Sequence, residues 1–95
     1  MKLKKLLQPD SVAVVGASRT PGKVGNIILE NLAKFKGDVY PINPGADEIM
    51  GMSCYDRVGD IGPVDMAVVC LPQRIANQAV KDCRDAGVDI VIVVT

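Results

Sequence analysis

The sequence predicts a three-layer α/β domain on a mostly parallel sheet of about five strands, in the order 3-2-1-4-5. Three observations carry that prediction. Short, wholly apolar runs alternate with amphipathic stretches, as in strands buried on both faces and joined by helical crossovers. Apolar residues are 48% of the chain and aromatics only 3%, so the core is built from Val, Ile, Leu, Ala and Met. The 95 residues suffice for one small domain, which buries somewhat over ~60% of its unfolded surface.

Leu3, Leu6 and Leu7 have helical spacing for a single turn, which Pro9 stops. Gln8 to Ser11 turns the chain into a first strand, Val12 to Val15, whose four apolar residues mark it as central. From Val24 the period changes. Val24, Ile27, Ile28, Leu32 and Phe35 form one stripe, which predicts an amphipathic helix of about three turns that stops at Gly37. Asp38 to Asn43 is the second strand, and Pro41 within it removes a donor from one side. Pro44-Gly45 turns the chain. Met52 to Tyr55 is a short third strand at the sheet edge, and Asp56 to Pro63 is loop and turn. Met66 to Leu71 is a second central strand, ended by Pro72. Ile75, Ala76, Ala79, Val80, Cys83 and Ala86 mark a second helix, with Gly87 at its C-terminal cap. Ile90 to Val94 is the last strand.

In such a sheet, ligands lie outside the carboxyl ends of the strands, at the switch between strands one and four. Gly16, Asn43, Leu71-Pro72 and Thr95 begin the loops that converge there. The first loop, Gly16-Ala17-Ser18-Arg19-Thr20-Pro21-Gly22-Lys23-Val24-Gly25, suits a phosphate. Its glycines let the backbone approach, a helix N-terminus stands behind it, Ser18 and Thr20 add hydroxyls, and Arg19 and Lys23 add charge. A valine at Gly16 is expected to abolish binding in a protein that still folds.

Several chemistries are disfavoured. A dinucleotide fingerprint wants glycine where Ser18 stands and an acidic residue where Asn43-Pro44 ends strand two. A Walker loop wants Ser or Thr after Gly22-Lys23, and Val24 follows instead. The chain has no histidine, so it holds neither a Ser-His nor a Cys-His pair. Cys54, Cys70 and Cys83 are widely spaced without a C-x-x-C, a pattern of packing and not of disulfides or zinc. No catalytic or metal-ligating residue is assigned. Eleven basic and eleven acidic residues balance, leaving no nucleic-acid footprint. Lys2, Lys4 and Lys5 precede only Leu6-Leu7, short of the roughly 7–15 apolar residues of a signal peptide. No run approaches the ~18 of a membrane span. We expect a cytoplasmic protein with no membrane partner.

The ordered set Leu6-Leu7, Pro9, Ser11 to Ser18, Pro21 to Gly25, Tyr40 to Pro44, Glu48-Ile49, Val64 to Val69, Leu71-Pro72 and Ala86 to Val88 covers nearly the whole chain. It resembles the CoA-binding domain of ADP-forming acyl-CoA synthetases, the acetate–CoA ligases related to the succinyl-CoA synthetase alpha subunit. The resemblance implies a Rossmann-like domain whose cofactor is coenzyme A. The loop from Gly16 to Gly25 would embrace phosphates, Asn43-Pro44 would face the adenosine, Leu71-Pro72 would flank the pantetheine arm, and Thr95 would begin the loop at the thiol end. It implies further domains or subunits of a ligase as partners, with ADP or ATP handled only by them and this segment non-catalytic. The sequence departs from the family in two respects: the lysine often found just after Asn-Pro is replaced by Gly45 and Ala46, and 95 residues are too few to include the family's phosphorylated histidine and its ADP-handling module. The chain stops at a strand end, and we expect residues 1–95 to be one CoA-binding domain and a piece of a longer protein. A standalone CoA-binding module and a nicotinamide-binding domain remain as alternatives.

Overall fold

The computed structural model describes residues 8–94, so the turn expected over residues 3–7 and the site assigned to Thr95 lie outside the described residues. Four strands form the main sheet: β1 (Ser11–Val15), β2 (Asp38–Ile42), β5 (Met66–Val69) and β6 (Ile90–Val93). Their order is β2-β1-β5-β6, with every pairing parallel. Helix α1 (Val24–Asn31) joins β1 to β2, and α2 (Gln73–Asp85) joins β5 to β6. The two crossovers run outward in opposite directions from the β1–β5 pair, as the sequence predicted.

Side-chain alternation explains the three layers. Ala13, Val15, Ala67 and Val69 share one face of the sheet and pack with Ala76, Ala79 and Cys83 of α2. Val14 lies on the other face and packs with Leu29 of α1. Asp65 ties the strand starts together at the end opposite the loops. Its carboxylate accepts the Asp10 N–H (2.7 Å), its own N–H donates to Ser11 Oγ (2.9 Å), and its carbonyl accepts the Ile90 N–H (3.1 Å).

Three expectations are revised. The third strand does not extend the main sheet. Met52–Ser53 (β4) pairs antiparallel with Glu48–Ile49 (β3) in a separate hairpin. Only Tyr55 reaches the outer edge of β2, in a single parallel bridge to Ile42. There the Tyr55 N–H donates to the Pro41 carbonyl (3.0 Å) and the Tyr55 carbonyl accepts the Asn43 N–H (2.8 Å). Pro41 has no donor on that edge, so the ladder stops after one bridge.

The first helix is two turns long, not three. Beyond Asn31, Ala33 and Phe35 donate to carbonyls three residues back, at Glu30 and Leu32, and the chain tightens into turns. Its buried face is rotated: Ile28 and Leu32 of the predicted stripe pack against the core, but its leading edge does not. Gly25, Asn26 and Leu29 are buried, whereas Val24 and Ile27 are each 44% exposed. Gly25 sets this rotation. A Cβ there would lie 2.0 Å from the Gly16 carbonyl oxygen, so the helix turns its bare edge to the end of β1 and points the Val24-Ile27 edge outward.

The second helix ends as expected. The Gly87 N–H donates to Arg84 O (3.1 Å) and the Val88 N–H to Cys83 O (3.0 Å), closing the last turn. The last strand is less buried than its composition suggested. β6 is an edge strand with one neighbour, and Ile92 and Val93 are exposed. Among the described residues no helix is long and apolar enough to cross a membrane.

Alanine at Gly25 is favoured by helix propensity by up to ~1 kcal/mol, but its methyl would overlap the Gly16 carbonyl. We expect Gly25→Ala to lose about 1–3 kcal/mol, or about 4–8 °C in Tm per kcal/mol for a domain of this size. Nothing lies within 4 Å of a Cβ at Gly59, so Gly59→Ala should stay within about 0.5 kcal/mol of the parent. Thermal melts compare the two, and equal melting temperatures would contradict this reading of the helix–strand contact.

Candidate functional site

Two recesses open at the carboxyl ends of the parallel strands. The larger has a volume of about 530 Å³, and the smaller about 310 Å³. They share Gly16, Ser18 and Leu71, so they meet over the end of β1 and the loop after β5.

The loop after β1 is shaped by backbone contacts. Gly16 adopts φ +89°, and a Cβ there would lie 2.5 Å from the Cys70 carbonyl oxygen. Its N–H and that of Ala17 both donate to Ile42 O, at 3.0 and 3.3 Å. β1 thus ends pinned between the ends of β2 and β5. Valine at Gly16 would collide with backbone, so the expectation of a folded but non-binding variant is replaced by one of disturbed folding. Ser18 Oγ accepts the Thr20 N–H (3.0 Å), and the Ser18 carbonyl accepts Asn26 Nδ2 (3.0 Å). Asn26 is 5% exposed, and its Oδ1 has no partner among the described residues. Ser18 Oγ therefore shapes the loop as an acceptor and keeps its O–H to donate, with α1 holding the loop from behind.

No side chain caps either helix at its start: Lys23 precedes α1 and Pro72 precedes α2, neither making a cap bond. The first-turn N–H groups are left without a side-chain acceptor, and the positive ends of two helix dipoles face the strand ends. Lys23, Val24, Gly25 and Pro72 line the smaller recess, together with Cys70 and Val94.

Asn43 is a positioning residue. Its Nδ2 donates to the Ala17 carbonyl (2.8 Å), and its Oδ1 accepts the Gly45 N–H (2.7 Å). One amide ties the loop after β2 to the loop after β1 and sets the turn that places Pro44. Both residues line the larger recess.

Of the residues singled out from the sequence, Gly16, Ala17, Ser18, Asn43, Pro44 and Leu71 line the larger recess. Lys23, Val24, Gly25 and Pro72 join at the smaller. Arg19, Pro21 and Gly22 are exposed and line neither. Arg19 instead donates Nε to the carbonyl of Glu48 in β3 (2.8 Å), tethering the loop to the hairpin.

The sequence reading missed the cations of the larger recess, Arg57 and Arg74. Arg74 lies in the first turn of α2, two residues past Pro72, a place the switch-point rule already points to. Arg57 gave no signal, because residues 56–63 have no periodicity. Asp56 and Asp82 stand on the same walls, with Asp82 Oδ1 accepting from Gln78 Nε2 (3.0 Å). Val15, Ile42, Val58, Ile75 and Ala79 give the recess an apolar floor.

The thiols are not poised as nucleophiles. Burial pushes all three up: Cys54 and Cys70 are raised, and Cys83 is pushed to about 11, with Asp82 adding to the effect. They stay protonated at neutral pH.

The geometry is that of two joined recesses, one with an apolar floor and two arginines, the other bordered by Lys23 and the starts of both helices. Asn43→Ala would remove both amide bonds at the loop junction. We expect it to lose about 1–3 kcal/mol of stability, read as a lower urea midpoint, and to raise the exchange rate of the Gly45 amide. An unchanged midpoint would show that the junction does not depend on Asn43.

Comparison with known proteins bears on what the ligand is. Residues 10–95 match a family model described as a CoA binding domain. An ADP-forming acetate–CoA ligase of Methanocaldococcus jannaschii is 42% identical over 95 residues, which is 99% of this chain and 14% of that protein. The dinucleotide-forming acetyl-coenzyme A synthetase 1 of Ca. Korarchaeum cryptofilum, solved with phosphate and ADP, superposes with a TM-score of 0.95 at 47% identity. All of this chain and 21% of that one are covered. A conserved hypothetical protein of Pyrococcus furiosus superposes with a TM-score of 0.82 at 38% identity, over 88% of this chain and 73% of that one. The chain therefore spans only a small part of the curated ligase it matches.

Proposed function

The chain belongs to the CoA-binding domain family, and from that premise we propose that it holds coenzyme A for an ADP-forming acyl-CoA synthetase of which residues 1–95 are one domain. The observation that carries the reading is the pair of recesses joined over Gly16, Ser18 and Leu71 at the carboxyl ends of β1 and β5. A CoA molecule has three parts that suit them. The adenosine enters the larger recess against Pro44 and the apolar floor. The pyrophosphate lies over the loop after β1, against the N-terminus of α1 and Lys23, where oriented N–H groups and the helix dipole favour anions. The pantetheine arm runs along Leu71 and Pro72 toward Val94.

This chain's own residues supply binding and orientation. Lys23 places one positive charge beside the anionic middle of the ligand. Asn43 holds the two loops at a fixed separation, and Arg19 steadies the first loop from outside. The three protonated thiols leave acyl transfer to the thiol of the ligand. Activation of the acid and the use of ADP belong to other domains or subunits of the ligase, which are the partners we propose.

A second reading is favoured by one observation. The small Pyrococcus furiosus protein is matched over 73% of its chain, so this fold also makes up most of a short protein. In that reading the chain is a CoA-binding module without catalysis of its own. Both readings share the ligand.

Isothermal titration with CoA and with NADH tests the ligand. We expect CoA to bind more tightly than NADH, and Lys23→Ala to weaken CoA by roughly 1–3 kcal/mol, the scale of a charge-assisted hydrogen bond. NADH binding more tightly than CoA would overturn the assignment.

A further inference from the structure

The cations of the larger recess come from outside the phosphate loop, and this suggests a task for them. Arg19 is turned away to the Glu48 carbonyl, and Lys23 lies at the smaller recess. Gly45 and Ala46 follow Asn43-Pro44, so no lysine stands at that wall. The positive charge of the larger recess is Arg57, after the Tyr55 bridge, and Arg74, in the first turn of α2. Both side chains are exposed at the rim, and neither makes a hydrogen bond or ion pair within the molecule among the described residues. Asp56 and Asp82 balance them in formal charge, so the recess carries no net charge until an anion enters.

We propose that Arg57 and Arg74 form a clamp for the 3′-phosphate on the ribose of coenzyme A, and so set the preference for CoA over ligands that lack it. The inference rests on the reading of the site as a CoA holder. With the pyrophosphate at the α1 N-terminus and the adenine against Pro44, the ribose lies in the larger recess, and its 3′-phosphate is the only anionic group of the ligand there. Two guanidinium groups on separate elements suit a phosphate dianion, because each presents a planar fork of donors that bonds two of its oxygens at once. The sequence thereby recovers, from the opposite wall, a charge that it lacks after Asn43-Pro44. An adenine nucleotide without the phosphate leaves the clamp empty and gains nothing from it.

Isothermal titration of the protein and of its R57A, R74A and R57A/R74A variants, with CoA and with dephospho-CoA, tests the clamp. The parent should bind CoA about 10- to 100-fold more tightly than dephospho-CoA, the worth of hydrogen bonds between charged groups. Each single variant should lose part of that preference, and the double variant should bind the two ligands within about threefold of each other. Dephospho-CoA affinity should stay within about threefold of the parent in every variant. Far-UV circular dichroism checks that the variants fold, as expected for exposed side chains. A preference for CoA that persists in R57A/R74A would overturn the clamp. So would equal weakening of both ligands, which places the arginines on the pyrophosphate, or equal binding of both by the parent. If the parent binds neither ligand, the CoA reading itself fails and the clamp fails with it.

Discussion

The backbone contact between the end of β1 and its two neighbours is the constraint on which the rest of the structure depends. Gly16 sits with its Cα against the Cys70 carbonyl and its own carbonyl against Gly25 of α1. Its N–H is held by Ile42 at the end of β2 (3.0 Å), and the Val15 carbonyl accepts the Cys70 N–H (2.7 Å). One residue thus registers three strand ends and a helix. No side chain fits at either glycine, which fixes the rotation of α1 and exposes Val24 and Ile27. The same contact keeps the loop after β1 low over the sheet and leaves room above it for a ligand. Packing and the proposed binding of coenzyme A share this junction, so a change there should disturb both.

Around that junction, polar groups divide into those that shape loops and those left over for a ligand. Asn43 belongs to the first kind, because its side-chain oxygen and amide are already bonded within the molecule, while Ser18 shapes the loop as an acceptor and keeps its O–H to donate. Buried Asn26 braces the loop through the Ser18 carbonyl. The uncapped helix starts, Lys23, Arg57 and Arg74 belong to the second kind. Hydrogen bonds to charged groups are worth more than neutral ones, roughly 1.5–3 kcal/mol, so affinity should depend chiefly on the second group and stability on the first.

Much of this was legible in the sequence. The apolar runs Val12 to Val15 and Met66 to Val69 announced central parallel strands, and the change of period at Val24 and Ile75 announced the helices. The order of four strands and the convergence of the loops followed from topology alone. The ordered motifs added the family, which the comparisons then showed. What escaped was set by tertiary contact. The helical stripe from Val24 to Phe35 held for Ile28 and Leu32, which pack against the core, but not for Val24 and Ile27, because Gly25 contributes nothing to an apolar period yet makes the closest contact. Residues 52–55 had strand character, but Pro41 denied them a partner edge. The loop pattern also gave no sign of the tether that Arg19 makes to a backbone carbonyl 29 residues away. Arg57 lies on a stretch without periodicity, which only the folded chain brings to the recess.

The most direct test is a two-dimensional NMR titration of the amide-labelled protein with coenzyme A. A ligand seated across the strand ends would shift the amides of Gly16, Ala17 and Ser18, of Lys23 to Gly25, and of Leu71 to Arg74, with Gly45 following through Asn43. Shifts centred instead on Gly59, Asp60 and Asp85, which line a recess of about 370 Å³ beside α2 that touches the larger one through Arg57 and Asp82, would contradict a site at the carboxyl ends of the strands.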